Sequence, residues 1–157
     1  MVILGIDPGY DRLGVAIIDK QAKRQEAVIY SDCLRTSSRD GIYARFAHIG
    51  KEICRVMDKF KPDVLSIENL FITKNQKTAM RVAEVRGIII YESIRRGMPI
   101  YEYSPMEIKT AITGDGSSDK SRMLKMIGLL VDLPQKKAVD DEYDAIAVAL
   151  TCSARLK

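Results

Sequence analysis

Apolar residues along this chain come in short unbroken runs and in longer stripes spaced for a helix. Residues 2–7 read VILGID, an apolar run that ends on Asp7. Pro8 and Gly9 then turn the chain, and residues 13–19 (LGVAIID) make a second such run. A third spans residues 26–34, and the short connections predict three strands in an antiparallel meander. The pattern then changes period. Ile42, Phe46, Ile49, Ile53, Val56 and Phe60 fall on one face of a helix, with Asp40 as its expected N-cap and Pro62 as its stop. Residues 63–68 (DVLSIE) return to strand and end on Glu68, as the first strand ends on Asp7. A strand reached through a helix normally runs parallel to its neighbour, with a right-handed crossover.

The second long helix is predicted over 75–96, carries Ala79, Val82, Ala83 and Ile90, and is closed by Gly97 and Pro99. PIYEYS follows as a short fifth strand, Pro105 stands where a helix would start, and residues 113–118 (TGDGSS) form a loop. Further helices are expected at 119–131 and 141–154. The order predicts an α/β fold: a five-stranded mixed sheet, three antiparallel strands and then parallel additions, flanked by helices. This resembles the RNase H-like arrangement. With no linker, repeat or low-complexity tract, residues 1–157 read as a single domain.

Composition narrows the class. MVILGID has too few apolar residues before its acid to read as a signal peptide or a membrane span. Cys33, Cys54 and Cys152 lie far apart and are odd in number, which fits reduced thiols in a cytoplasmic protein. The formal charge of +4 is only mildly basic. The single histidine, His48, falls off the apolar stripe of its helix and excludes a His-rich zinc site.

The acids change the picture most. If the strands ending on Asp7 and Glu68 are parallel neighbours, both carboxylates emerge at the rim of the sheet where α/β proteins bind ligands. Asp7 before Pro-Gly also reads as a simple turn former, but Glu68 after LSI is costly to bury without a partner. Near the C-terminal end, AVDDEYDAIAVAL packs Asp140, Asp141, Glu142 and Asp144 directly ahead of an apolar helix. Capping and the helix dipole account for one or two of these acids. Asp141 and Asp144, three apart, share a helix face. That leaves Asp140 for the cap and Glu142 for the solvent side. Three or four clustered carboxylates need a cation or retained protons. All-oxygen donors favour Mg²⁺, with Mn²⁺ able to substitute. A pair of such ions supports phosphodiester hydrolysis.

Four segments together resemble the RuvC family of Holliday junction resolvases: GIDPG at 5–9, IENLFITKN at 67–75, the stretch around Lys109 to Lys120, and the D-x-x-D-A of residues 141–145. They occur in family order and cover essentially the whole chain. The resemblance implies a crossover junction endodeoxyribonuclease whose catalytic, metal-holding acids are Asp7, Glu68, Asp141 and Asp144. It implies two Mg²⁺ per site and paired symmetric nicks in four-way junction DNA. Phe71 matches an aromatic that stacks at the junction centre, and Lys109 and Lys120 match residues that contact phosphates. Lys74 extends the basic surface, with Lys77, Arg81 and Arg86 further along the helix. Family members act as homodimers with RuvA and RuvB as partners.

Each role has a plainer alternative: Phe71 in the core, the lysines on a solvated face, and Ala79, Val82 and Ala83 packing on their own sheet rather than in a dimer seam. Ala16 stands where the family more often has a second glycine, and SRM follows Lys120 where it favours a glutamine two residues on. RLGVA is closer to YqgF relatives, RNase H-fold nucleases linked to RNA processing. Asp7, Gly9 and Gly14 also match the phosphate loop of actin-like ATPases and sugar kinases, which need two such domains.

Overall fold

In the structure, a computed structural model describing residues 1–21, 26–70, 76–133 and 139–156, the central apolar runs become strands buried on both faces. The order is β1 (Val2–Asp7), β2 (Arg12–Asp19), β3 (Glu26–Arg35), α1 (Ile42–Phe60), β4 (Val64–Glu68), α2 (Gln76–Arg95), β5 (Ile100–Tyr103), α3 (Pro105–Thr113), α4 (Lys120–Leu130), β6 (Val131–Asp132) and α5 (Asp140–Arg155). The sheet runs β5-β4-β1-β2-β3-β6. The meander of β1, β2 and β3 is antiparallel, β4 adds parallel to β1, and β5 adds parallel to β4. Among the described residues the sheet therefore has six strands, not the expected five. The extra one, β6, is two residues long and pairs in parallel with Glu26 and Ala27 of β3. So short a strand has no periodicity of its own; it forms because the outer edge of β3 offers unpaired backbone groups.

Alternation sorts the side chains of β1 and β2 into two cores. Leu4, Ile6, Leu13, Val15 and Ile17 pack with Ile49, Ile53, Val56 and Met57 of α1 and Val85 and Ile89 of α2. Ile3, Ala16 and Ile18 pack on the other side with α5, α3 and α4. Here α5 lies almost on bare sheet. A Cβ on Gly5 would stand 2.3 Å from the Ala145 carbonyl oxygen, and one on Gly14 would stand 2.2 Å from that of Asp141. Small residues on both partners, Gly5 and Gly14 against Ala145 and Ala149, bring the helix this close. Ser66 of β4 adds a hydrogen bond from its hydroxyl to the Val148 carbonyl at 2.8 Å.

Two local expectations are corrected. The N-cap of α1 is Gly41, without a side-chain cap, and the Asp40 N–H instead donates to the Ser37 carbonyl, one residue outside the helix. In α2 the fully buried positions are Val85, Ile89 and Ser93, while Ala83 is exposed and Val82 and Ile90 are half-buried. Among the described residues no helix is long and apolar enough to cross a membrane.

The cap of α3 makes a prediction. The Ser104 hydroxyl accepts from the Glu107 N–H, and Glu107 accepts from the Ser104 N–H and from Arg155. These donors hold the Glu107 carboxyl down at about 2, against its ordinary 4.5. A depressed carboxylate pKa contributes stability that is complete above the unfolded value and is lost as pH falls through the folded one. Glu107→Ala is expected to cost about 1 kcal/mol at neutral pH, a figure already discounted for the partial exposure of the group. Urea denaturation should show the gap to wild type narrowing as pH drops below 4.5 towards 2.

Candidate active site

Parallel pairing of β1 with β4 matches Ile6 to Ile67, so Asp7 and Glu68 leave the sheet side by side. Their carboxyl groups are hydrogen-bonded to one another. The close seat of α5 on Gly5 and Gly14 brings its first turn, with Asp141 and Asp144, over the same rim. Asp7 registers the crowding. Its carboxyl is pushed up to about 8, first by burial, then by the charge of Glu68 and the bond to it, then by Asp144 and Asp141. Glu68 is also raised, chiefly by burial and by Asp144, with its bond to Asp7 and the nearby Arg86 acting against this. Burial raises Asp144 too, opposed by Lys120. With no cation at hand, the Asp7–Glu68 pair retains a proton near neutral pH.

Two basic side chains take up the acids of α5. Lys120 reaches Asp144 at 3.2 Å and Asp140 at 3.3 Å. The Arg12 guanidinium pairs with the Asp141 carboxylate, and the Cys33 thiol lies 3.6 Å from the same oxygen. Arg12 and Lys120 each hold an acid of α5, and among the described residues no three His, Cys, Asp or Glu side chains are gathered closely enough to hold an ion. The donor set nevertheless suits a hard divalent cation. It consists of carboxylates, and it carries more negative charge than it can keep ionised unaided.

The acidic run at the head of α5 divides differently from expectation. Asp140 does not cap: the N-cap is Val139, and Asp140 is exposed. Glu142 is not on the solvent side. It is 3% exposed, accepts from the Val139 N–H at 3.2 Å and accepts the Ser31 hydroxyl at 2.5 Å. An acid at the third helical position can reach back to the free N–H groups of the first turn, so the buried Glu142 takes over the capping role.

Lys109 and Lys120 line a cleft of about 340 Å³ together with Glu68 and Asp144. Phe71 and Lys74 lie outside the described residues. Arg81 and Arg86 are held in ion pairs with Glu84 and Glu102, which reduces their share in any basic surface. Sequence reasoning missed Arg12, Cys33 and Glu142. The signal for Arg12 was present: it stands two residues before Gly14, hence on the strand face that meets α5.

The model of the family described as crossover junction endodeoxyribonuclease RuvC matches residues 3–152. The RuvC of Caldicellulosiruptor saccharolyticus is 40% identical over 150 residues, 96% of this chain and 90% of that one. That of Moorella thermoacetica is 37% identical over 150 residues, 96% and 89% of the two chains. Among solved structures, Thermus thermophilus RuvC in complex with Holliday junction substrate superposes with a TM-score of 0.90 at 26% identity, over 98% of this chain and 93% of that one. These matches favour the resolvase reading over the YqgF-like and kinase-like ones. With its acids at the rim of an RNase H-like sheet and a family match across nearly its full length, this chain belongs to the RuvC family of crossover junction endodeoxyribonucleases, magnesium-dependent enzymes that resolve Holliday junctions by phosphodiester hydrolysis.

Proposed function

We propose that Asp7, Glu68, Asp141 and Asp144 are the catalytic acids of this resolvase and hold two Mg²⁺ ions, with Mn²⁺ able to substitute. One observation carries the reading: Asp7 and Glu68, on register-matched strand ends, sit close enough to the two α5 acids for the Asp7 carboxyl to be pushed up to about 8. Bound metal would supply charge neutralisation and an activated water for attack on the phosphodiester. Lys109 and Lys120, in the cleft beside Glu68 and Asp144, hold the flanking phosphates. Lys74 extends this surface and Phe71 stacks on bases at the junction centre, roles that rest on the family resemblance.

The substrate is four-way junction DNA, cut by paired symmetric nicks across a homodimer. The outer face of α2 supports the dimer. Met80, Tyr91 and Ile94 are each more than 60% exposed, and the small residues Ala83 and Gly87 stand between them. Spaced for one helix face, they form an apolar stripe with room for close approach by a second helix. RuvA and RuvB are the partners implied by the family. The free cysteines Cys33, Cys54 and Cys152 are in keeping with a reducing, cytoplasmic setting.

The direct test is incubation with a synthetic four-way junction and a linear duplex of the same sequence. In Mg²⁺ the junction should be nicked at two symmetry-related positions and the duplex left intact, with all cleavage stopped by a chelator. Junctions that are bound but uncut at millimolar Mg²⁺ or Mn²⁺ would refute the catalytic reading.

A further inference from the structure

We propose that Arg12 is a positioning residue that couples metal binding to DNA binding: it neutralises Asp141 while the site is metal-free and moves to the DNA backbone when a divalent ion claims that carboxylate. The inference rests on the assignment of Asp141 to the metal. Arg12 opens β2 on the face that carries Gly14, and a Cβ on Gly14 would lie 2.2 Å from the Asp141 carbonyl. The guanidinium is therefore brought to the first turn of α5 by backbone packing, not by chance of side-chain reach. It pairs with Asp141, whose same oxygen also has the Cys33 thiol beside it. With one Asp141 oxygen engaged in this way, a metal ion that draws on the same carboxylate competes with Arg12 for its negative charge.

The other end of the arrangement is open. The Arg12 side chain is 49% exposed and is paired with the Asp141 carboxylate. A guanidinium released at the mouth of a nuclease site is a suitable donor to a phosphate, which it can engage through two N–H groups. Lys120 makes an analogous pairing with Asp140 and Asp144, but it sits in the cleft already assigned to phosphates. Arg12 lies outside that cleft lining and adds a separate contact.

The test compares wild type with Arg12→Ala, Arg12→Lys and Asp141→Asn. Mn²⁺ affinity is measured by calorimetry on the protein alone, and junction affinity in Ca²⁺ and in chelator. Arg12→Ala should bind Mn²⁺ about threefold to fivefold more tightly, the scale of a half-exposed ion pair that no longer has to be broken. It should bind the junction more weakly in Ca²⁺, with a salt dependence shallower by about one phosphate contact, and lose less in chelator. Arg12→Lys, keeping the charge but not the fork, should fall between. Unchanged or weaker Mn²⁺ affinity in Arg12→Ala overturns the proposal, as does an equal loss of junction affinity in both conditions. If Asp141→Asn leaves Mn²⁺ affinity intact, it is the metal assignment that fails. Weakened binding in Asp141→Asn with no change in Arg12→Ala sinks the coupling alone.

Discussion

Asp7→Asn should reduce junction cleavage by about 10³-fold or more while leaving junction binding and the fold in place. The reason lies in the state of the carboxyl group. Pushed up to about 8 by burial and by the neighbouring acids, the Asp7 carboxyl favours its neutral, protonated form near neutral pH in the metal-free protein, in a pair with Glu68. Asparagine reproduces the shape and charge of that neutral form. It can still hydrogen-bond to Glu68, so the apoprotein loses nothing and is relieved of a group whose ionisation is unfavourable.

The sign follows from linkage. A carboxyl with a raised folded pKa binds more protons folded than unfolded, so stability declines as pH rises from its ordinary 3.8 towards 8. The variant should therefore melt no lower than wild type in chelator, and its melting point should rise less on addition of Mg²⁺, because one anionic ligand is missing. Thermal melts with and without metal, beside a junction-cleavage assay, separate this from a folding defect. A variant that melts well below wild type in chelator would mean that Asp7 is ionised and structural instead.

Gly5→Ala should produce the largest loss of stability among conservative core changes, about 3 kcal/mol. The new Cβ would lie 2.3 Å from the Ala145 carbonyl oxygen and 2.6 Å from the Ala149 Cβ. Neither obstacle is the end of a flexible side chain. The whole of α5 must lift from β1, and with it the turn that carries Asp141 and Asp144. For a chain of this size the expected drop in melting temperature is roughly 6–12 °C. Cleavage should fall further than stability alone explains, because the two pairs of acids are moved apart.

Gly128→Ala in α4 is the matched control. A Cβ there meets nothing within 4 Å, and replacing a helical glycine by alanine should stabilise by about 0.5–1 kcal/mol. Similar melting temperatures for the two variants would remove the claim that the contact of Gly5 with α5 sets the geometry of the site.

The sequence and the structure divide the protein between them on physical grounds. Periodicity is a local property, so β1 through β5 and the long helices were legible from spacing alone. The parallel-crossover rule supplied the direction of the strand ending on Glu68, but its place beside β1 rather than β3 was decided by the assembled sheet. The D-x-x-D spacing was likewise enough to put Asp141 and Asp144 on one face.

What depended on contacts between distant segments could not be read this way. A two-residue strand such as β6 has no pattern and forms only on an edge already built by β3. In the acidic run, charge and local rules assigned Asp140 to the cap and Glu142 to water. The opposite holds because Ser31, 111 residues earlier, supplies a buried hydroxyl for Glu142, while Lys120 meets Asp140 at the surface. The four candidate acids could thus be named from spacing and family resemblance. The approach of the α5 acids to Asp7 and Glu68, the raised pKa of the Asp7 carboxyl, and the hold of Arg12 on Asp141 were decided only when α5 came to rest on Gly5 and Gly14.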